Sequence, residues 1–270
     1  MRQLNVEELK HTQLEILTYV ADFCEQNGIT YWIDSGTLLG AIRHGGYIPW
    51  DDDIDVGMLR EDYDKFCECF NKGSGKYRVF CLENTPDFYL SHAKVCDTTT
   101  VLYEPDENGL KLSVNIDIFV YDNAPEDDND VRIMYDTRDK YRRIYEMQNY
   151  KMSASSNVVK NVLKLARSVI YRACCPNAIQ KMVDNSKKHS KAESTRVGNF
   201  TAYTRMTCHK RVFDSFVDVG FEGRMYKAPV GYDEWLRSFY GNYMELPPVE
   251  KQVSHHSFKA FASDDESSLK

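Results

Sequence analysis

The first 28 residues have the spacing of an amphipathic helix. Apolar side chains recur every three or four positions through "NVEELKHTQLEILTYVADFCEQNG", and at this period side chains share one helix face. Asn5, followed three residues later by Glu8, is typical of a helix start, and Gly28 is typical of a helix end. The pattern therefore predicts one long N-terminal helix with its apolar positions at Leu9, Leu14, Leu17, Val20, Ala21 and Phe23.

Short strands and helices are predicted from there to about residue 125. The run "ITYWIDSG" indicates a buried strand from Ile29 to Asp34, and "TLLGAIRH" indicates a short helix beside Gly36. The segment "REDYDKFCECFN" has helical spacing. Four further segments favour strands, namely "YRVFCLE", "HAKVCD", "TVLYE" and "VNIDIFVYD".

From Pro125 onward the pattern becomes helical and basic. Helices are predicted for "VRIMYDTRDKYRRIYEMQNY", for "NVVKNVLKLARSVIYRACC" and, after a loop-rich stretch from about 190 to 228, for the first part of "YDEWLRSFYGNYM". The predicted fold class is α+β, with a mixed sheet, flanking helices and a helical C-terminal half. We expect a sheet core over 1–125, a helical basic part packed on it over 126–260, and a flexible tail over 261–270.

The composition, 42% hydrophobic and 13% aromatic in 270 residues, is that of a globular protein. No run of about 18 apolar residues is present, and the N-terminal segment lacks the apolar core of a signal peptide. We therefore expect a cytoplasmic protein. The eight cysteines include no C-x-x-C pair, which favours reduced thiols over zinc ligands or disulfides.

The net charge of −7 is unevenly distributed. Residues 1–130 carry 10 Lys and Arg against 26 Asp and Glu, whereas residues 131–270 carry 24 against 15. An acidic half suits metal ions or a cationic substrate, and a basic half suits phosphates or an anionic surface. The alternative is that both halves are simply solvated faces. No nucleic-acid partner is expected.

Four carboxylates crowd into "GGYIPWDDDIDVGML", at Asp51, Asp52, Asp53 and Asp55. At about 4 Å and an effective dielectric near 20, each close pair would repel by about 4 kcal/mol. Alternate residues of a strand share a face, so Asp53 and Asp55 project together. Asp117 stands in the same way on the polar face of the strand "VNIDIFVYD". A divalent cation bound by these three acids would remove the repulsion, and hard oxygen ligands suit Mg²⁺ or Mn²⁺.

Two other interpretations of the acids remain open. They could cap a helix or line a turn, where solvent would screen their charges. They could also form a calcium loop, because Asp51, Asp53 and Asp55 fit its first three ligands. In that case, however, the glycine falls at 57, one position late, and Asp62 stands where the loop has Glu.

The turn formed by Ser35, Gly36 and Thr37 is a candidate phosphate site. A Gly-Thr pair between a strand and a helix leaves backbone N–H groups and a hydroxyl at a helix N-terminus, which is an arrangement that binds anions. Arg43 and Lys94 are candidates for neutralising phosphate charge. The alternative for each of these two is an ordinary surface cation.

The segments "GTLLGAIRHGGYIPWDDDIDVGM", "AKVCDTTT", "IDIFVYD" and "YGNYMELPPVEK" resemble the LicD family of phosphorylcholine transferases, which is related to the fukutin-type ribitol-phosphate transferases. The resemblance runs from about residue 25 to 256. It implies a nucleotidyltransferase-like catalytic core. Carried over position by position, Gly36 and Thr37 match the phosphate turn, Asp53 and Asp55 the metal pair, and Asp117 the third acid. Cys96 stands where the family commonly has Arg, which puts a phosphate contact there in doubt.

The resemblance also implies a reaction. A metal-dependent enzyme of this kind transfers an alcohol phosphate from a CDP-linked donor, here CDP-choline, to a hydroxyl of a glycan or lipid-linked glycan. The alternatives are another CDP-alcohol such as CDP-ribitol or CDP-glycerol, nucleotidyl transfer, and a non-catalytic glycan-binding module. Aromatic faces would hold the choline cation. The candidates, each of which could instead be plain core, are Trp32, Tyr47, Trp50, Tyr89 and Tyr103.

The segment from Val158 to Cys175 carries four basic residues and no acid, and it alternates them with apolar residues like an amphipathic basic helix. Such a helix could rest on a membrane that bears a lipid-linked glycan, at the inner face of the membrane. The alternative is an ordinary helix that packs on the sheet domain.

Overall fold

The computed structural model describes residues 1–73, 75–103, 112–150, 158–253 and 259–262. Their helices are α1 (Val6–Asn27), α2 (Ser35–His44), α3 (Arg60–Cys69), α4 (Asp128–Gln148), α5 (Val158–Cys174), α6 (Ala178–Ser186) and α7 (Tyr232–Tyr240). Their strands are β1 (Arg2–Gln3), β2 (Trp32–Ile33), β3 (Asp55–Leu59), β4 (Tyr77–Phe80), β5 (Ala93–Asp97), β6 (Thr100–Tyr103), β7 (Asn115–Asn123), β8 (Arg196–Gly198), β9 (Thr207–His209), β10 (Phe216–Phe221), β11 (Arg224–Pro229) and β12 (Lys259–Ala262).

The central sheet has the strand order β2-β3-β7-β5-β4. Strands β3 and β7 are parallel, and the other neighbours in this order are antiparallel. The far end of β7 pairs with β8, which in turn pairs with β9. The sheet is therefore mixed, which confirms the predicted α+β class.

Helix α1 begins and ends as its sequence predicts. The Asn5 side chain accepts the Glu8 N–H at 2.9 Å, and the Glu8 carboxylate accepts the Asn5 N–H at 2.9 Å. Gly28 ends the helix with a φ of 60°, a conformation that glycine adopts without a Cβ penalty. Ile16 and Leu17 are fully buried, so one face of α1 joins the main core.

Strand β7 separates an apolar face from a polar one. Ile116, Ile118 and Val120 are buried in the core, as the alternation in the sequence predicts. Asp117 and Tyr121 lie on the other face. This second face of the sheet carries the candidate site.

The prediction of a loop-rich stretch from 190 to 228 was wrong, because β8, β9, β10 and nearly all of β11 lie within it, the last two as a hairpin. Glu222 and Gly223 form the hairpin turn with φ values of 49° and 81°. Two consecutive left-handed residues match the right-handed twist of the flanking strands, so "EG" was a usable signal. The Glu222 carboxylate also accepts the Tyr47 N–H at 2.9 Å, which holds the hairpin against the loop before the acids.

A small second sheet has the order β1-β12-β6. Phe261 and Ala262 belong to β12, so they are part of this sheet and not of the flexible tail predicted from 261. The rest of that predicted tail, 263–270, lies outside the described residues.

The main hydrophobic core draws on both sides of the boundary predicted at 125/126. It contains α1 and the central sheet, and it also contains Phe213, Phe221, Tyr226, Trp235 and Leu236. The eight cysteines are free thiols, and five of them are buried, in agreement with the expectation from their spacing.

Gly57 in β3 lies directly under the buried Trp32 ring, and a Cβ added to Gly57 would stand 2.4 Å from the indole. We predict that Gly57→Ala destabilises the protein by about 1–3 kcal/mol, the cost of overpacking a filled core. Urea unfolding measures the change. Gly73→Ala is the matched control because nothing lies within 4 Å of its Cβ position, and equal effects of the two changes would contradict the prediction.

Candidate active site

The acids come together because β3 and β7 are parallel neighbours in a fixed register. Asp55 lies directly opposite Asp117, and Lys94 of β5 lies opposite Asp117 on its other side. The three side chains therefore form a row across three adjacent strands. We call Lys94, Asp117 and Asp55 the charged row.

Lys94 does not stand free for a phosphate. Its ammonium group forms an ion pair with the Asp117 carboxylate and donates to the Asn115 side chain at 2.9 Å. His92 Nε2 lies 3.3 Å from the other Asp117 oxygen. Burial acts to raise the pKa of Asp117, but the charges of Lys94 and His92 outweigh it and hold that pKa well below its usual range. Asp117 is therefore ionised at neutral pH.

Asp55 has the opposite environment. It is buried, and its backbone N–H donates to the Thr37 hydroxyl at 2.8 Å. Burial raises the pKa of Asp55 well above its usual range, and the charges of Asp53 and Asp117 raise it further. Asp55 therefore has a much higher proton affinity than Asp117, its neighbour in the charged row.

Asp53 lies close to the same row. It lines a cavity of about 50 Å³ together with Lys94 and Asp117. Within the described part of the chain, no three Asp, Glu, His or Cys side chains already converge as a metal-binding set. The three acids have the right oxygen chemistry for a hard cation, and metal binding by Asp53, Asp55 and Asp117 stays a prediction.

The predicted phosphate turn forms the start of α2. Ser35 has a φ of 46°, which is uncommon for a residue with a side chain and is found where function holds a strained backbone. A Cβ on Gly36 would stand 2.7 Å from the Asp51 carboxylate, so glycine lets that acid lie against the helix start. Thr37 is buried, and its hydroxyl links α2 to β3 through Asp55.

Two other predicted substrate residues lie away from the charged row. Arg43 donates to the backbone carbonyls of Tyr243 at 2.7 Å and Glu245 at 3.4 Å, so it ties α2 to the "YGNYMELPP" segment. Trp50 lines a separate cavity of about 480 Å³ beside α1. The substrate roles of Arg43 and Trp50 stay predictions, and neither lines the cavity that contains Asp55.

A large cavity of about 750 Å³ opens beside the charged row, with Asp55 and Asp117 in its wall. It lies between the central sheet, α4 and the segment 199–206. Seven aromatic side chains line it, namely Tyr89, Phe119, Tyr121, Tyr145, Tyr203, Phe239 and Tyr240. Of the five aromatic candidates from the sequence, Tyr89 is part of this lining. Trp32 is fully buried core, Tyr47 lies under the Lys10 ammonium and Tyr103 packs on Phe261.

Three polar residues of this cavity were missed from the sequence. Tyr240, the last residue of α7, lies in the cavity wall, and burial and the charges of Asp55 and Asp34 raise the pKa of its hydroxyl. His92 stands beside Asp117 with its ring 4.8 Å from that of Phe119. The third residue is Arg142 of α4. His92 stood in the strand segment "HAKVCD", but its direction toward the acids follows from a register that the sequence does not specify.

Arg142 of α4 is the cation that the cavity wall provides. Its guanidinium lies 4.7 Å from the centre of the Tyr203 ring and forms ion pairs with Asp139 at 3.3 Å and Glu146 at 3.7 Å. Its Nη1 atom is buried and makes no hydrogen bond with any described residue. A buried donor without an acceptor is costly, so this atom is suited to an anionic ligand.

Cys96 is buried with Phe88 and Leu112 in a small hydrophobic cluster. An apolar setting of this kind raises the pKa of the thiol to about 12. Position 96 therefore offers no contact to a phosphate in this chain.

Comparisons with known proteins point to one family. A family model described as "LicD/FKTN/FKRP, nucleotidyltransferase domain" matches residues 28–126, which include all of β3 and β7. A lipopolysaccharide cholinephosphotransferase, LicD of Haemophilus influenzae, is 32% identical over 97% of this chain and 99% of its own length. The human ribitol 5-phosphate transferase FKRP is 50% identical over 48 residues, which are 18% of this chain and 10% of FKRP.

The similarity to the Haemophilus protein extends over nearly the whole of both chains, and the class of protein is a transferase. The chain belongs to the LicD family and is a LicD-type transferase. Among the described residues, no helix combines the length and the apolar content needed to cross a membrane.

The two acids of the charged row should respond oppositely to loss of charge. At neutral pH and without divalent cations, we predict that Asp55→Asn raises the free energy of unfolding by on the order of 1 kcal/mol, because an ionised Asp55 is disfavoured. Asp117→Asn should lower it by about 1–3 kcal/mol, because Lys94 loses its partner. Urea unfolding measures both changes.

The opposite pKa shifts of Asp55 and Asp117 predict how each acid changes the free energy of unfolding with pH. The folded-state pKa of Asp55 is raised, so its unfavourable effect is full above that pKa, declines as pH falls below it, and is gone below the unfolded aspartate pKa of about 4. The folded-state pKa of Asp117 is lowered, so its favourable effect persists down to the unfolded aspartate pKa, about 4, and is lost below it. Two changes of the same sign at neutral pH would contradict this account of the row.

Proposed function

We propose that this protein transfers phosphocholine from CDP-choline to a hydroxyl of a cell-surface glycan precursor. The observation that carries the proposal is the charged row in the wall of an aromatic cavity of about 750 Å³. The near full-length similarity to a lipopolysaccharide cholinephosphotransferase supports phosphotransfer to a glycan. Local similarity to ribitol-phosphate transferases supports a second candidate donor, CDP-ribitol.

Asp53, Asp55 and Asp117 are the residues that would hold Mg²⁺ or Mn²⁺. When bound, such an ion neutralises charge on the diphosphate of the donor. The chemistry of the three carboxylates fits a hard cation, and the repulsion among Asp55, Asp53 and Asp117 is the feature that a cation would relieve. Lys94 supplies part of that compensation from within the protein, through its ion pair with Asp117.

In the reaction, the acceptor oxygen attacks the phosphorus that carries choline. The bond from that phosphorus to the bridging oxygen breaks, CMP leaves, and the proton of the acceptor hydroxyl passes to a carboxylate. A positioned carboxylate can accept that proton as a general base. Asp117, which its ion pair with Lys94 keeps ionised, or another carboxylate beside the cation site would take this role.

The choline group would bind against the aromatic wall. Cation–π contacts contribute roughly 0.5–2 kcal/mol each, so two or three tyrosines would give a substantial preference for a quaternary ammonium. Tyr145 and Glu146 are neighbours on α4 and line the same wall, which adds a carboxylate of the right sign, whereas the Tyr203 ring is already covered by Arg142. Arg142, with its unsatisfied Nη1 atom, would donate to a phosphate oxygen of the donor.

The test of the proposed function is CMP release from CDP-choline, CDP-ribitol and CDP-glycerol in competition, with Mg²⁺ and again with excess EDTA. We predict that CDP-choline is used in preference and that EDTA stops turnover. If CDP-ribitol is preferred, the choline assignment is wrong and the transferase chemistry stands. Pyrophosphate release from CTP would indicate nucleotidyl transfer. Binding of a glycan without turnover of any donor would favour a non-catalytic module.

Arg142 should contribute to binding of the donor. We predict that Arg142→Gln raises the KM for the CDP-linked donor by at least about tenfold, because a charge-assisted hydrogen bond to phosphate is lost. Steady-state kinetics of CMP release measure the effect. Arg132→Gln is the control, since Arg132 is an exposed residue of the same helix. An unchanged KM in Arg142→Gln would remove Arg142 from the donor site.

A further inference from the structure

Helix α5 turns its polar side toward the protein. Asn161 and Ser168 are buried on that side. The Ser168 hydroxyl and Arg172 Nε both donate to the Gln148 carbonyl, at 3.0 and 2.8 Å, and the Tyr150 hydroxyl donates to the Asn161 side chain at 2.5 Å. The helix is therefore attached to the end of α4 largely by hydrogen bonds.

The apolar side of α5 faces away from the protein. Val162, Leu163, Val169 and Ile170 are 56–60% exposed, and their spacing of one and seven positions places them on one helix face. The exposed Ala166 and Ala173 continue the same face. We call these six residues the outer strip. An ordinary helix packed on the sheet domain would bury its apolar side, so that alternative from the sequence is wrong for α5.

Basic side chains border the outer strip on one side. Lys160 and Arg167 are exposed there, whereas the exposed Lys164 lies over the Tyr150 ring at 4.9 Å, and α5 contains no acidic residue at all. We infer that the outer strip of α5 docks on an anionic membrane surface. This inference concerns a face of the molecule separate from the cavity, so it does not depend on which donor the enzyme uses.

The composition of the face favours a lipid surface as its occupant. A helix that lies in the membrane interface has apolar residues on one side, Lys and Arg beside them, and few acids. The 17 residues of α5 form a rod of roughly 26 Å, long enough to present the whole strip to one plane. Positive charge along one border complements anionic headgroups, whereas a second copy of this chain would bring the same positive charges together.

Helix α5 is attached close to the part of α4 that lines the large cavity. Gln148, at the end of α4, also donates its side-chain amide to the carbonyls of Tyr171 and Cys175, at 3.0 and 2.6 Å. The preceding turn of α4 carries Tyr145 and Glu146 in the wall of the large cavity. A membrane held by α5 would therefore lie next to the part of the cavity that α4 forms.

The experiment is co-sedimentation of the full chain with vesicles of phosphatidylcholine alone or mixed in equal parts with phosphatidylglycerol. We expect binding to the mixed vesicles that weakens as salt is added. Leu163→Glu/Ile170→Glu should abolish binding, and Lys160→Ala/Lys164→Ala/Arg167→Ala should reduce the partition coefficient by at least about tenfold. Circular dichroism and CMP release check that each variant is folded.

Two matched controls keep the result specific. Ile133→Glu replaces an exposed apolar residue of α4, and Lys65→Ala/Lys72→Ala/Arg211→Ala removes the same amount of charge away from α5. Both should bind like the unmodified protein. Absence of binding to anionic vesicles, or equal loss in the controls, would overturn the inference. A dimer in light scattering that Leu163→Glu dissociates would assign the outer strip to a second copy instead.

Discussion

One buried carboxylate, that of Asp34, connects the central sheet with α2 and α7, and these elements form part of the cavity wall. Asp34 is fully buried, and it accepts hydrogen bonds from the Tyr121 hydroxyl of β7 and from the Trp235 indole of α7 at 2.8 Å. Its backbone N–H donates to the Asp55 carbonyl at 2.9 Å, and its own carbonyl accepts the Leu38 N–H of α2 at 2.9 Å. A single residue, Asp34, therefore connects helices α2 and α7 with strands β3 and β7.

That arrangement has an electrostatic cost. Burial raises the pKa of Asp34, and the hydrogen bonds from Tyr121 and Trp235 only partly offset the effect. Asp55, the first residue of the adjacent strand β3, is also buried, and its pKa is raised for the same reason. Strained electrostatics of this kind persist where the surrounding packing fixes the geometry, and they are typical of functional sites. The crowding of acids at 51–55 is thus held by sheet register and by Lys94, and a bound cation would add to a compensation that already exists.

The sequence predicted the faces of the acids but not their neighbours. Alternation along a strand is local, so the placement of Asp117 opposite the apolar face of β7 could be foreseen. The pairing of Lys94 with Asp117 depends on the antiparallel register of β5 and β7, which no local pattern specifies. The same holds for Arg43, whose carbonyl partners lie 200 residues away in the chain. From the sequence alone, Lys94 and Arg43 were candidates for binding phosphate, because the groups that they contact are distant in the chain.

The lining of the aromatic cavity also depends on long-range contacts that the sequence does not specify. Its wall is built from α4 and from the segment 199–206, which the sequence presented as a basic helix and a loop. Arg138 joins them: it donates to the carbonyls of Ala202 and Thr204, at 2.6 and 2.7 Å. Arg205 reaches back from the segment to Asp139 and, at 2.8 Å, to Asp136. The wall is thus assembled by long-range ion pairs and carbonyl contacts, and its aromatic lining becomes a binding surface only after that assembly.

Helix α4 is the element on which these features converge. Along its length it presents Arg138 to the segment 199–206, Arg142 and Tyr145 to the cavity, and Gln148 to α5. A helix of 21 residues is a stiff connection, because each turn is fixed by hydrogen bonds to the next. A surface bound at α5 would therefore keep a defined orientation to the Arg142 end of the cavity. The basic C-terminal half, which the charge distribution first set apart, is in this way a part of the site.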